Sequence, residues 1–245
     1  CLCSVEAHMM RALAAYLGPP IPAANVLPRS AIGDVPAFGL GWYRPEHGPI
    51  RTASRVPVSR GDAVLEVPSR EDSHCILAHA GVRPGEAQPF RHGDLLFGFF
   101  GVLEAPQAVE STLMARLSER SRAAHLDRTP EGLIFLTFLD ELRDRTEPDD
   151  LADALEKTVG VVQDLATGHG TAATFTAVVT QGDCLVTLRT GTSGTEAALP
   201  PLRTLVTTDA GPGPAQGRWV CTEPAFAGDW TELDPHSLVI FTRDV

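Results

Sequence analysis

The nine-residue run Leu95–Leu103, Leu-Leu-Phe-Gly-Phe-Phe-Gly-Val-Leu, is apolar at every position. An extended strand turns alternate side chains to opposite faces, so this one has no face to offer water. It reads as a fully buried central strand. Phe38–Tyr43, Ile50–Arg55 and Ser73–Ala80 precede it as further strands, apolar runs between Pro- and Gly-rich breaks. Cys1–His8 alternates loosely and is compatible with a strand. Met9–Leu17 is compatible with a helix, stopped by Gly18-Pro19-Pro20.

The middle of the chain changes period. Val109–Arg122 puts Leu113, Met114 and Leu117 at helical spacing. Thr129-Pro130 offers a capping hydroxyl and a proline at the first helical position, opening a helix over Glu131–Asp144. Thr146-Glu147-Pro148-Asp149 offers a second cap. Beyond it Leu151, Ala154, Leu155, Thr158, Val159 and Val162 form one stripe of an amphipathic helix over Leu151–Ala166. Strands return at Ala172–Val179, Cys184–Arg189, Leu202–Val206, Trp219–Thr222 and Ser237–Thr242, with Gln181-Gly182-Asp183 as a hairpin loop. Strands, then helices, then strands predict an α+β arrangement of two sheets covered by helices, as a single domain over residues 1–245. Phe38–Tyr43, Ser73–Ala80 and Leu95–Leu103 are expected in one layer.

Composition narrows the function. Lys and Arg number 20 against 31 Asp and Glu, a net charge of −11, and Lys157 is the sole lysine. Phosphate contacts need clustered cations, so nucleic acid is not expected as a partner. No apolar run is long enough to span a membrane, and no basic segment leads into an apolar one, which reads as a cytoplasmic chain. The five cysteines, Cys1, Cys3, Cys75, Cys184 and Cys221, are odd in number and widely spread, unlike a disulfide framework. Cys1, Cys3, His8, His74, Cys75 and His79 match no established zinc spacing, and Gly39 and Gly41 lack the rest of a phosphate loop. No metal or cofactor is expected. Removal of a preceding initiator methionine would leave Cys1 as a free cysteine at residue one.

Several segments then fall in a recognisable order. Tyr16-Leu17-Gly18-Pro19-Pro20-Ile21-Pro22, Phe38-Gly39-Leu40-Gly41-Trp42-Tyr43, Leu77-Ala78-His79, Pro89-Phe90 with Arg91-His92-Gly93, Leu96-Phe97 leading to Gly101, Glu223-Pro224, Trp230 and Ser237-Leu238-Val239 span nearly the whole chain. The set resembles class II glutamine amidotransferase-like proteins. Within them it is most similar to the branch of the γ-glutamyl amide hydrolase of ergothioneine biosynthesis. The resemblance implies an N-terminal nucleophile (Ntn) hydrolase, a four-layer αββα sandwich of two mainly antiparallel sheets with Cys1 as nucleophile. A first-residue cysteine brings its own base, since an α-amine titrates at about 7.7–8.0 and a thiol at about 8.5.

The resemblance also assigns the remaining site. Gly101 retains a backbone N–H for the oxyanion hole, while Phe100 stands where active members carry an asparagine donor, a loss that costs about 10²–10³ in rate. The arginine that clamps the substrate carboxylate falls at Gly81. Arg83 lies two residues on and, in a strand, shares that face about 6.6 Å away. Glu110 matches the acid for the substrate amine, and His79, Gly41 and Trp42 complete the expected substrate contacts. Tyr16 lies fifteen residues beyond Cys1, and alignment without a gap would put the nucleophile near Met10 or Arg11. An insertion after a Cys1–His8 strand accommodates the difference. The expected function is a cysteine-dependent amide hydrolase or amidotransferase-like enzyme acting through a Cys1 thioester. Its partner would be a small amide or thioester, and a homodimer is a candidate assembly. A non-catalytic binding protein, or an aminoacyl transferase or condensing enzyme, are the alternatives.

Overall fold

The computed structural model describes residues 12–26, 37–44, 47–54, 68, 70–81, 88–104, 106–123, 129–195, 199, 201–207, 216–224 and 226–243. Strands β1 (Ala12–Pro22), β2 (Ala37–Arg44), β3 (Gly48–Ser54) and β4 (Asp72–Gly81) open the chain. Then come β5 (Phe90–His92), β6 (Leu95–Leu103) and helices α1 (Pro106–Arg116), α2 (Glu119–Ala123), α3 (Pro130–Leu142) and α4 (Pro148–Gly168). The chain closes with β7 (Ala173–Thr180), β8 (Cys184–Gly191), β9 (Arg203–Thr207), β10 (Gly217–Cys221), β11 (Thr231–Glu232) and β12 (Ser237–Thr242). They form a seven-stranded sheet, β11-β9-β10-β1-β4-β2-β3, and a five-stranded sheet, β12-β8-β7-β6-β5. Every pairing between these strands is antiparallel. The expected α+β sandwich of two antiparallel sheets is therefore present.

Side-chain alternation sorts the core into layers. Leu13, Ala15 and Leu17 of β1, Cys75 and Leu77 of β4, Leu96 of β6 and Val178 of β7 meet between the sheets. Phe97, Phe99, Phe175 and Val179 face the other way, onto Phe135 and Phe138 of α3 and Leu155 and Val159 of α4. The outer face of the seven-stranded sheet buries Tyr16, Trp42 and Trp219 beneath the one-turn helix Ala23–Val26 and Phe226 and Trp230. The Tyr16 and Trp219 rings lie 4.6 Å apart, and the Tyr16 hydroxyl reaches the carbonyl oxygens of Pro19 and Gln216.

Three sequence expectations are corrected. The described part of Met9–Leu17, Ala12–Leu17, is strand and not helix. β1 lies between β10 and β4 and both its faces are buried, so its residues show no alternation, and Ala and Leu there favour either state. Gly18-Pro19-Pro20 does not end the element, because the register with β4 shifts between Leu17 and Ile21 and the strand resumes. Cys1–His8 lies outside the described residues. Second, β6 belongs to the five-stranded sheet, facing β2 and β4 across the gap and not beside them. Third, the helix expected over Val109–Arg122 breaks at Leu117-Ser118, where Asp140 accepts bonds from the Ser118 N–H at 2.7 Å and its hydroxyl at 2.6 Å. Thr129 caps α3 as expected, accepting from the Gly132 N–H. The N-cap of α4 is Glu147, whose side chain makes no capping bond, and not Thr146.

Candidate functional site

The two sheets come together where β1 begins. In the seven-stranded sheet Leu13, His79 and Gly39 form one row, Leu13 paired with His79 and His79 with Gly39. Alternation turns all three toward the gap, with Gly81 on the same face. In the five-stranded sheet Phe100, Thr176, Arg189 and Ser237 form a facing row by successive pairing. Gly98 fixes how the rows meet, since a Cβ there would lie 2.7 Å from Leu13 Cδ1 and 3.4 Å from Leu77 Cδ1. Phe100 is one pleat further on, half-buried against the inter-sheet core. His79 is buried, 3% exposed. Leu13 at the start of β1 and His79 thus share a row, and Phe100 reaches the same inter-sheet core one pleat beyond Gly98.

Gly39 and Gly41 make room for a neighbouring stretch of chain. The Gln88 backbone oxygen would lie 1.6 Å from a Cβ on Gly39, and a Cβ on Gly41 would meet Leu96 and Pro89. The glycines let the Gln88–Pro89 segment press against β2, so the space beside Gly41 is filled by protein. Gln88 is buried, and its side-chain oxygen accepts the Phe99 N–H at 2.6 Å. The Val102 N–H turns instead to Thr174 Oγ1 on β7. Gly101 has the parity of Phe99, so its N–H points to the Gln88 side and away from β7. Its Cα lies so close to β7 that a Cβ would be 2.0 Å from the Thr174 oxygen.

The structure separates other expected site residues from this cleft. Trp42 is on the outer face, its indole N–H bonded to Glu71 at 2.8 Å beside the Arg44–Glu71 ion pair. Glu110 is half-buried on α1, whose Val109 and Leu113 pack in the helix-side core. Arg83, Cys1, Cys3 and His8 lie outside the described residues. The three described cysteines are unsuited to attack. Burial pushes the Cys75 thiol up to about 12 and raises that of Cys184, while Cys221 is buried among the outer-face aromatics. Among the described residues no group of His, Cys, Asp and Glu could hold a metal ion, and no helix is long and apolar enough to cross a membrane.

Gln88, Thr176 and Arg189 escape the sequence reading. Gln88 had a signal, its place directly before the Pro89-Phe90 turn. Arg189 had a weaker one, alternation with Leu185 and Thr187 on a strand with both faces buried. Its side chain is only 7% exposed, and the guanidinium is committed to Glu232 at 2.9 Å and to the carbonyls of Leu233 and Leu199. That makes it a brace from β8 to the segments flanking β9.

No family model and no curated protein matches the sequence. Solved structures do. A glutamine aminotransferase class-II domain protein from Silicibacter pomeroyi superposes with a TM-score of 0.75, at 21% identity over 94% of each chain. The glutamine phosphoribosylpyrophosphate amidotransferase of B. subtilis gives 0.64 at 12% identity, over 95% of this chain and 47% of that one. A predicted glutamine amidotransferase from Pseudomonas aeruginosa gives 0.53 at 13% identity, over 95% and 97%. The property shared with these glutamine amidotransferase structures at such identities is the fold.

Proposed function

We propose that the protein is a cysteine-dependent amide hydrolase or amidotransferase-like enzyme acting on a γ-glutamyl or related small amide. The observation that carries this reading is that Leu13, at the start of β1, and His79 share a row facing the inter-sheet core that Phe100 also reaches, with Gly101 next to it on β6. The ordered segments similar to the γ-glutamyl amide hydrolase branch support the acyl group. Burial of Cys75, Cys184 and Cys221 leaves the thiol to the segment before β1, and Cys1 is the assigned nucleophile. The ten residues between Cys1 and Ala12 span up to about 33 Å when extended, ample to bring Cys1 to the head of β1.

The chemistry follows from the groups present. The Cys1 thiolate adds to the amide carbonyl, and the Gly101 N–H donates to the oxyanion that forms. Collapse of the adduct breaks the C–N bond, the amine leaves with a proton, and a Cys1 thioester remains. Water or an acceptor amine then takes the acyl group and restores the thiol. Phe100 supplies no second donor, which favours slow turnover on an altered acyl group over glutaminase activity.

The same Phe100 favours a second reading, a domain that binds the amide without cleaving it. One experiment separates them. Ammonia or amine release is followed across glutamine, γ-glutamyl amides and simple amides for wild type and Cys1→Ser, with binding measured in parallel by calorimetry. Release abolished in Cys1→Ser supports the enzyme. Binding with no release by either protein selects the binding domain.

A further inference from the structure

Among the described residues the four strands at sheet edges, β11, β3, β12 and β5, are not equally protected. β3 carries Pro49 and Arg51, β5 is three residues long with Arg91 and His92, and β11 is two residues long with Glu232. Proline, charge and shortness are the usual means by which an edge strand avoids pairing with another chain. β12 has none of them. It runs Ser-Leu-Val-Ile-Phe-Thr, six residues of high strand propensity with no charge, proline or bulge, and its apolar side chains are all half-buried.

Its backbone has a definite outward half. The Arg243 N–H donates to the Asp183 oxygen at 2.9 Å, and Thr187 Oγ1 donates to the Val239 oxygen at 3.3 Å. Odd-numbered residues thus turn their backbone groups to β8, and Leu238, Ile240 and Thr242 turn theirs outward.

We infer that β12 is the seat of a homodimer in which the same strand of a second copy adds antiparallel to it, joining two five-stranded sheets into one. A two-fold axis perpendicular to the sheet requires facing residues of the same parity, and only outward-facing ones can exchange bonds. The register that engages all three outward residues pairs Ile240 with Ile240, and Leu238 with Thr242 of the second copy. Charge permits this where it would oppose other contacts. The chain carries −11, yet the paired edge is uncharged, and exposed Arg243 of each copy falls at the end where exposed Asp234 of the other precedes its strand. A stable interface buries about 800 Å² per partner, more than six residues supply, so α4, which packs on β12, contributes the flank. The dimer is accordingly concentration-dependent.

The test uses the whole chain in sedimentation velocity over a concentration series. Wild type should dimerise reversibly. Thr242→Pro removes an outward N–H and none of the bonds to β8, so it should weaken dimerisation at least tenfold with an unchanged circular dichroism spectrum. Independently, Ile240→Cys should give a disulfide-linked dimer on mild oxidation, since facing Cα atoms in such a pair are about 5.5 Å apart. Val239→Cys should give far less. A monomer at every concentration overturns the inference, as does a dimer indifferent to a folded Thr242→Pro or cross-linking no better at 240 than at 239.

Discussion

The backbone oxygen of Gln88 occupies the space that a side chain on Gly39 would need, 1.6 Å from the Cβ position. This contact links the glycine-bearing strand to the candidate site. Gln88 is held against β2 by it, and the Gln88 side chain in turn holds the Phe99 N–H at 2.6 Å, next to Phe100 and Gly101. Backbone cannot swing aside as a side-chain tip can.

Gly39→Ala is expected to lose about 2–3 kcal/mol of stability, the scale of overpacking against an unyielding neighbour. Urea unfolding checks it, read as a lower midpoint at an unchanged slope. Wild-type stability in the variant would mean that the Gln88 segment moves freely.

Gly160 is the opposite case. It lies inside α4, and an added Cβ would meet nothing within 4 Å. Gly160→Ala should therefore stabilise the protein by about 0.5–1 kcal/mol through backbone entropy and helix propensity. A higher unfolding midpoint by the same assay is the expected result.

Alternation, capping and breakers made most elements legible. The α4 stripe of Leu151, Ala154, Leu155, Thr158, Val159 and Val162 is buried throughout. Leu95–Leu103 is a strand with its predicted limits but not the predicted full burial: only Leu95–Phe99 is buried and Val102 is 51% exposed, because the three-residue β5 pairs only with Leu95–Phe97. β1 was misread because burial of both faces erases the period that marks a strand. Alternation by itself sets Gly41 and Trp42, as neighbours, on opposite faces, so they cannot both face one cleft. What local pattern cannot carry is which strands share a sheet, hence the misplacement of β6. Nor can it carry contacts between distant segments, hence the omission of Gln88 and Arg189.

Alkaline pH should unfold the protein early. Burial raises the Cys75 thiol to about 12, the Tyr16 phenol to about 12 and the Tyr43 phenol well above its usual 10. Each group ionises more readily in the unfolded chain, so above its unfolded value the unfolded state binds fewer protons. Stability should hold below pH ~8.5, fall as Cys75 ionises in the unfolded chain, and fall more steeply beyond pH ~10. Urea midpoints between pH 7 and 11 test this. Cys75→Ala, compared at each pH, should flatten the first part of the decline.

Phe100→Asn supplies a side-chain donor toward the C-terminal end of β6. Glutamine hydrolysis should nevertheless gain far less than the factor of about 10²–10³ that such a donor contributes in a preorganised site. Gly81 supplies no cation for the glutamine carboxylate. A full gain, seen in ammonia release by the folded variant, would show that only the donor had been lost.

The central claim is that Cys1 carries the acyl group. Intact mass spectrometry after incubation with the amide panel, followed by peptide mapping, reads this directly and also shows the mature N-terminus. The account predicts an acyl adduct on Cys1, absent from Cys1→Ser, with Cys75, Cys184 and Cys221 unmodified. An adduct confined to another residue, or amide cleavage that persists in Cys1→Ser, would contradict it.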